Sequence, residues 1–158
     1  MSDRLKTIIA KESVQTLEKL AFIFATPEDE DIEPEAGETV DVAIRFTGPF
    51  SGSMLILYPE GDLHELAANM LGLDDEDEIA GEQKLDALRE TINIVCGNVL
   101  PVIGGKEAVF DIAPPQLIET PADRPDVTDG VKVQLELDEG MCFIYLFFDG
   151  EIPEVSAQ

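Results

Sequence analysis

The sequence predicts an α+β fold: two long helices against a mostly antiparallel sheet, with an internal pseudo-twofold. Three observations carry that reading. Apolar residues recur at helical spacing over residues 3–25 and again over 85–102. Each stretch is followed by strand-like runs, some alternating and some almost continuously apolar. The succession of helix and then strands therefore occurs twice, at 3–58 and 84–148, as a weak duplication of elements more than of residue identities.

In the first helix Ile9, Leu17, Leu20, Ala21 and Phe24 fall on one side, and Ile8, Phe22 and Ile23 widen the apolar arc. Ser2 or Asp3 serves as its cap. Glu12 and Gln15 fall away from the main stripe. Residues 26–38 are acidic and contain two prolines, which reads as a surface linker or mobile loop. Residues 39–58 form a hairpin: Val40, Val42, Ile44 and Phe46 alternate with polar or small residues, and the return strand SMLILY lies deeper. Residues 60–72 form a short helix with Leu63, Leu66, Ala67 and Met70 inward and Gly72 as its stop. A second acidic loop covers 73–83. After the second long helix, residues 108–118 read as a strand broken at Pro114–Pro115, and 131–148 as another hairpin. The whole of 1–158 is taken as a single domain, with a C-terminal tail over 150–158.

Composition narrows the function classes. Asp and Glu number 34 against 10 Lys and Arg, a formal net charge of −24 with a pI near 4.1. Such a surface repels phosphate backbones and anionic lipids, so neither nucleic acid nor membrane is expected as a partner. No apolar run approaches the roughly 20 residues that span a bilayer, and no signal peptide is recognisable. Cys96 and Cys142 sit within apolar patterns and read as buried, reduced thiols, which points to the cytoplasm. The acidic run at 74–78 lacks the spacing of a calcium loop, and no His/Cys cluster could hold zinc, so no metal of its own is expected. The single histidine, His64, reads as a surface residue. Neither a Gly-x-Ser-x-Gly turn nor a phosphate-binding Gly-rich loop occurs. An enzyme built this way leaves most of the catalytic machinery to its partner.

The helix over 85–102 is the informative one. At about 100° per residue, Leu88, Ile92, Val95, Cys96 and Val99 gather on one face. Asp86, Glu90, Asn93 and Gly97 gather on the opposite face. A solvated helix back is more cheaply made from Lys, Glu and Gln, because Asn and Gly each cost about 0.5–1 kcal/mol relative to Ala. A bare glycine there also lets another backbone come close. The stripe reads as a contact surface.

Asp86-x-x-x-Glu90-x-x-Asn93, followed by Gly97-Asn98, resembles the signature helix of the CheC/CheX/FliY phosphatases of bacterial chemotaxis. Gly52-Ser53-Met54-Leu55, the segment Ala68–Gly72 and Ile112–Leu117 resemble further family segments in the same order, and a single clean signature resembles CheX more than CheC. The resemblance implies a CheC/CheX-like fold and a substrate, the aspartyl phosphate of a CheY-type response regulator, whose receiver domain supplies its own Mg²⁺. It also implies roles for the stripe: Asn93 orients the attacking water, Glu90 pairs with the receiver's lysine, Gly97 permits close approach, and Asp86 acts as a contact or helix-start residue. Glu12 and Gln15 occupy the corresponding region of the first helix and read as a relic of the duplication or plain surface, with a second centre as the alternative. The resemblance further implies a homodimer joined at a sheet edge from 108–118 or 131–148. Two rival readings are a non-catalytic docking protein for a receiver or for a flagellar or signalling partner, and an acidic domain with no receiver partner.

Overall fold

The computed structural model describes residues 2–155. Helix α1 spans Ser2–Ala21, followed by strands β1 (Thr26–Pro27), β2 (Thr39–Thr47) and β3 (Gly52–Pro59). Helices α2 (Glu60–Leu71) and α3 (Gly81–Gly104) come next, then β4 (Asp111–Ile112), β5 (Gln116–Ile118), β6 (Val131–Glu136) and β7 (Met141–Phe148). The strands form one sheet in the order β1-β6-β7-β3-β2-β4, with β5 also on β2, and the pairings are antiparallel.

The pseudo-twofold is visible in the sheet. Hairpins β2–β3 and β6–β7 meet back to back where β3 pairs with β7, from Gly52↔Phe148 to Leu57↔Phe143. The helices cross over: α1 packs on β6, and α3 packs on β2 and β3. One face of the sheet contributes Val42, Ile44, Met54, Ile56, Val133 and Ile144 to a core shared with all three helices. On the other face Leu55, Leu57, Phe143 and Tyr145 pack with Ile118 of β5 and with Ile32 and Val127 from the loops.

Four expectations change. First, α1 stops at Ala21, well short of residue 25. Phe22 takes a left-handed conformation (φ 54°), its N–H donating to the Glu18 carbonyl, and the chain then runs extended toward Pro27, a residue that disfavours helix before it. Ile23 and Ala25 turn inward while Phe22 and Phe24 point to solvent, so neither phenylalanine joins the core. Second, residues 26–38 are anchored. Thr26 and Pro27 pair with β6, and the buried Gln134 amide donates to the carbonyls of Glu28 and Glu30 and accepts from the Ile32 N–H. Lys132 adds bonds to the Asp31 carboxylate and the Ile32 carbonyl.

Third, β7 is an interior strand and β6 is partly covered by β1, leaving β4 and β5 beside β2 as the outer strands at the other edge. The 108–118 segment makes two short strands, with Pro114 and Pro115 lying between them. Fourth, the tail is not wholly detached, because Val155 packs against the core, while 156–158 lie outside the described residues.

Candidate functional site

α3 is held in place along three of its sides. Leu88, Ile92, Cys96 and Val99 are fully buried against the sheet, as their spacing predicted. On one flank Ile94 and Asn98 meet α1, with the Asn98 amide 3.4 Å from the Thr16 hydroxyl. On the other flank Thr91 approaches the Met70 sulfur of α2 at 3.6 Å, and Ala87 packs with Ala67 and Ala68. The remaining side is the predicted stripe: Asp86, Glu90 and Asn93 are exposed and Gly97 is half-buried.

The four stripe residues differ in what they already do. The Asp86 carboxylate accepts from Arg89 at 2.7 Å, and Arg89 also reaches Glu82 at 3.0 Å, so Asp86 belongs to a charge cluster in the early turns of α3. Glu90 and Asn93 have no hydrogen bond or ion pair to another side chain among the described residues. A carboxylate and a carboxamide at i,i+3 spacing stand roughly 5–6 Å apart at Cβ on one helix face. At Gly97 an added Cβ would meet nothing within 4 Å, so internal packing does not require the glycine. Pro101, four residues on, has no N–H to give the Gly97 carbonyl, which leaves that acceptor without its helical partner.

Glu12 and Gln15 come together with Thr16, Lys19, Ile94 and Asn98 along a depression of about 270 Å³ between α1 and α3. They lie beside the α3 stripe and not within it. A larger cavity, of about 770 Å³, lies between α1 and residues 27–31, and neither Glu90 nor Asn93 lines it. The stripe is thus an exposed crest that lies outside both hollows.

The remaining reactive groups offer no competing centre. Burial pushes the Cys96 thiol up to about 12, and burial together with Asp62 raises that of Cys142, so neither is a thiolate nucleophile. His64 Nε2 lies 2.9 Å from the Asp75 carbonyl and ties α2 to the acidic loop. Among the described residues no group of three or more His, Cys, Asp or Glu is placed to hold a metal ion. No helix among them is long and apolar enough to cross a membrane.

What the sequence did not show is that the ends of α1 and α2 meet. The Asn69 amide donates to the Ala21 carbonyl at 2.7 Å, and its neighbour Met70 touches Thr91. Phe22, Phe24 and Leu71 are exposed large apolar side chains just beyond or at these two helix ends.

Two symmetric antiparallel hairpins layered by helices, one of which turns an open carboxylate and carboxamide outward, define a protein of the CheC/CheX-like class. Solved structures agree on the fold. The chain is similar to the chemotaxis protein CheX of Desulfovibrio desulfuricans, at 17% identity and a TM-score of 0.72, over 92% of this chain and 99% of that one. It is similar to CheX of Vibrio vulnificus at 22% identity and a TM-score of 0.74, over 94% and 99%. The CheX-CheY-BeF3-Mg²⁺ complex of Borrelia burgdorferi matches at 19% identity and a TM-score of 0.66, over 91% and 97%. The chain has no match among curated proteins. The family model described as chemotaxis phosphatase CheX matches residues 40–144, and the chain belongs to that family.

Proposed function

We propose that this chain hydrolyses the aspartyl phosphate of a CheY-type response regulator, with Asn93 as the catalytic residue and Glu90 as the anchor. The observation that carries the reading is the unpaired Glu90–Asn93 crest on α3, exposed and rigidly backed by the core. The Borrelia relative, solved with CheY, BeF3 and Mg²⁺, supports the class of partner and the supply of metal from the partner's side.

In this reading the Asn93 carboxamide enters the receiver's site and holds water in line with phosphorus, accepting from the water through its oxygen. Water forms the new P–O bond, the receiver's aspartate leaves as carboxylate, and the water proton passes to the released phosphate or solvent. The receiver's Mg²⁺ stabilises charge on the phosphoryl oxygens. Nothing on this chain changes protonation state; its contribution is positioning. Glu90 pairs with the receiver's lysine and fixes the angle of α3. Asp86, held by Arg89, steadies the early turns of the helix.

The test is phosphate release from a Mg²⁺-loaded receiver labelled with acetyl phosphate. Wild type shortens the lifetime of the phosphoryl group. Glu90→Ala is expected to raise KM and Kd about tenfold or more, since a charge pair desolvated on docking loses one member. Binding without any change in lifetime would favour the docking reading. Gly97→Ala is expected to stabilise the fold by up to about 1 kcal/mol, because Ala is the better helix former and the space is open. It should weaken receiver binding at the same time, and thermal melts with affinity measurements check both. Gln15→Ala in the same assay tests the second centre; retained turnover leaves catalysis to α3 alone. Sedimentation of the free protein tests the homodimer.

A further inference from the structure

Resting on the receiver reading above, we infer that Lys19 on α1 is an electrostatic docking contact for the receiver. It pairs with acidic side chains on the rim of the receiver's phosphorylation site when Asn93 engages. Two independent observations lead there: how charge is divided over the chain, and where Lys19 stands.

The formal net charge is −24, yet none of it resides on the two long helices. α1 and α3 carry six acidic and six basic side chains between them, and these cancel. The whole surplus of carboxylates lies on α2, the strands and the loops. Solubility does not require this division, because a surplus spread over every face keeps a protein in solution equally well. α1 and α3 pack on each other over one face of the sheet, so their outward sides adjoin and contain the crest. The partner of the proposed reaction is anionic at its own site. An aspartyl phosphate brings about two negative charges, and carboxylates that hold Mg²⁺ add more against the metal's two positive ones. Faces built from the rest of the chain repel such a site, and the neutral face does not.

Lys19 is the cation that this surface sets beside the crest. Thr16 lies against Asn98, and Ala21 is tied through Asn69 and its neighbour Met70 to Thr91. α1 therefore runs back along α3, and Lys19 falls between those two fixed points, level with the turn that holds Asn93 and Ile94. It lines the depression of about 270 Å³ together with Ile94 and Asn98, on the side of α1 that faces α3. Packed helices stand about 8–10 Å apart, which puts Lys19 one helix-width from Asn93. Lys19 is exposed and has no ion pair among the described residues, in a chain with 34 Asp and Glu. Arg89, by contrast, is already committed to Glu82 and Asp86.

The experiment measures binding of a receiver loaded with Mg²⁺ and beryllofluoride to wild type, Lys19→Glu, Lys19→Met and Lys106→Glu. Each is measured at about 0.1 M and about 1 M salt, where the screening lengths are about 10 Å and 3 Å. Phosphate release from the phosphorylated receiver is followed in parallel. At the lower salt Lys19→Glu is expected to raise Kd and KM about tenfold and Lys19→Met about threefold, with kcat unchanged. At the higher salt both losses shrink to about twofold or less. Lys106→Glu changes the net charge equally but lies beyond Gly104, about 16 Å along the α3 axis from Asn93, and should leave Kd unaltered. Equal losses in Lys19→Glu and Lys106→Glu overturn the contact, since only net charge then counts. A lowered Tm with a loss of affinity that persists at 1 M salt assigns Lys19 to the fold and also overturns it. A fall in kcat at unchanged Kd overturns it by placing Lys19 in a second centre with Glu12 and Gln15. An unchanged Kd, with turnover still dependent on Asn93, overturns it and leaves the phosphatase reading standing. A wild type that neither binds nor dephosphorylates receivers removes the proposed function itself, and the inference falls with it.

Discussion

Asn93→Ala is expected to lower receiver dephosphorylation by about 10²–10³-fold while receiver affinity changes little. The size follows from removing one preorganised group that acts on the transition state, where a single well-aimed dipole is worth that much. The structure makes the variant unusually clean to interpret. The Asn93 side chain is exposed and bonded to no other side chain among the described residues, so its loss strands no buried partner. Ala is the better helix former by roughly 0.5 kcal/mol, so Tm should hold or rise slightly. Phosphate-release kinetics, receiver binding and a thermal melt together check the prediction. A variant that keeps wild-type turnover would remove Asn93 from catalysis, whatever it does to binding.

The largest expected effect on stability lies far from that residue. Gly52 opens β3, is buried, and pairs with Phe46 on one side and Phe148 on the other. A Cβ built there lands on the Phe147 carbonyl oxygen and crowds the Phe46 ring. Backbone cannot rotate away as a side chain can, so Gly52→Ala must pry apart the β3–β7 seam where the two hairpins join. The expected cost is about 3 kcal/mol or more, at the upper end for single substitutions. Urea denaturation of the variant should show a lowered midpoint. A cost under 1 kcal/mol would mean that the seam yields more easily than its geometry implies.

The same seam shows what could be read from the sequence. The two hairpins were legible because the strands announce themselves locally: Val42, Ile44 and Phe46 alternate, and the return strands are almost continuously apolar. α3 was legible for the same reason, and its two faces came out as the 3.6-residue period placed them, with Leu88 and Ile92 buried and Glu90 and Asn93 exposed. The anchoring of residues 28–32 was not legible. It depends on Gln134, more than a hundred positions away, and a side chain bonding to distant backbone leaves no periodicity in either segment. The end of α1 was misplaced because Phe22, Ile23 and Phe24, three consecutive apolar residues, extend a helical arc without marking where it stops. The decision fell to Pro27 and the left-handed turn at Phe22. The convergence of α1 and α2 on α3 is likewise tertiary. No reading of one segment at a time could have set Asn69 against the Ala21 carbonyl.

The crossed packing of the helices also bears on how the chain comes to be folded. Among the described elements α1 is made first, yet the strand it rests on, β6, is made next to last. Until β6 arrives, Leu5, Ile9 and Leu17 lack much of the surface that buries them. The nascent helix must therefore wait with its apolar face uncovered, and closure of the structure is a late, long-range event. For the same reason the two repeats cannot be cut apart at the α2–α3 loop: each half carries a helix whose bed belongs to the other.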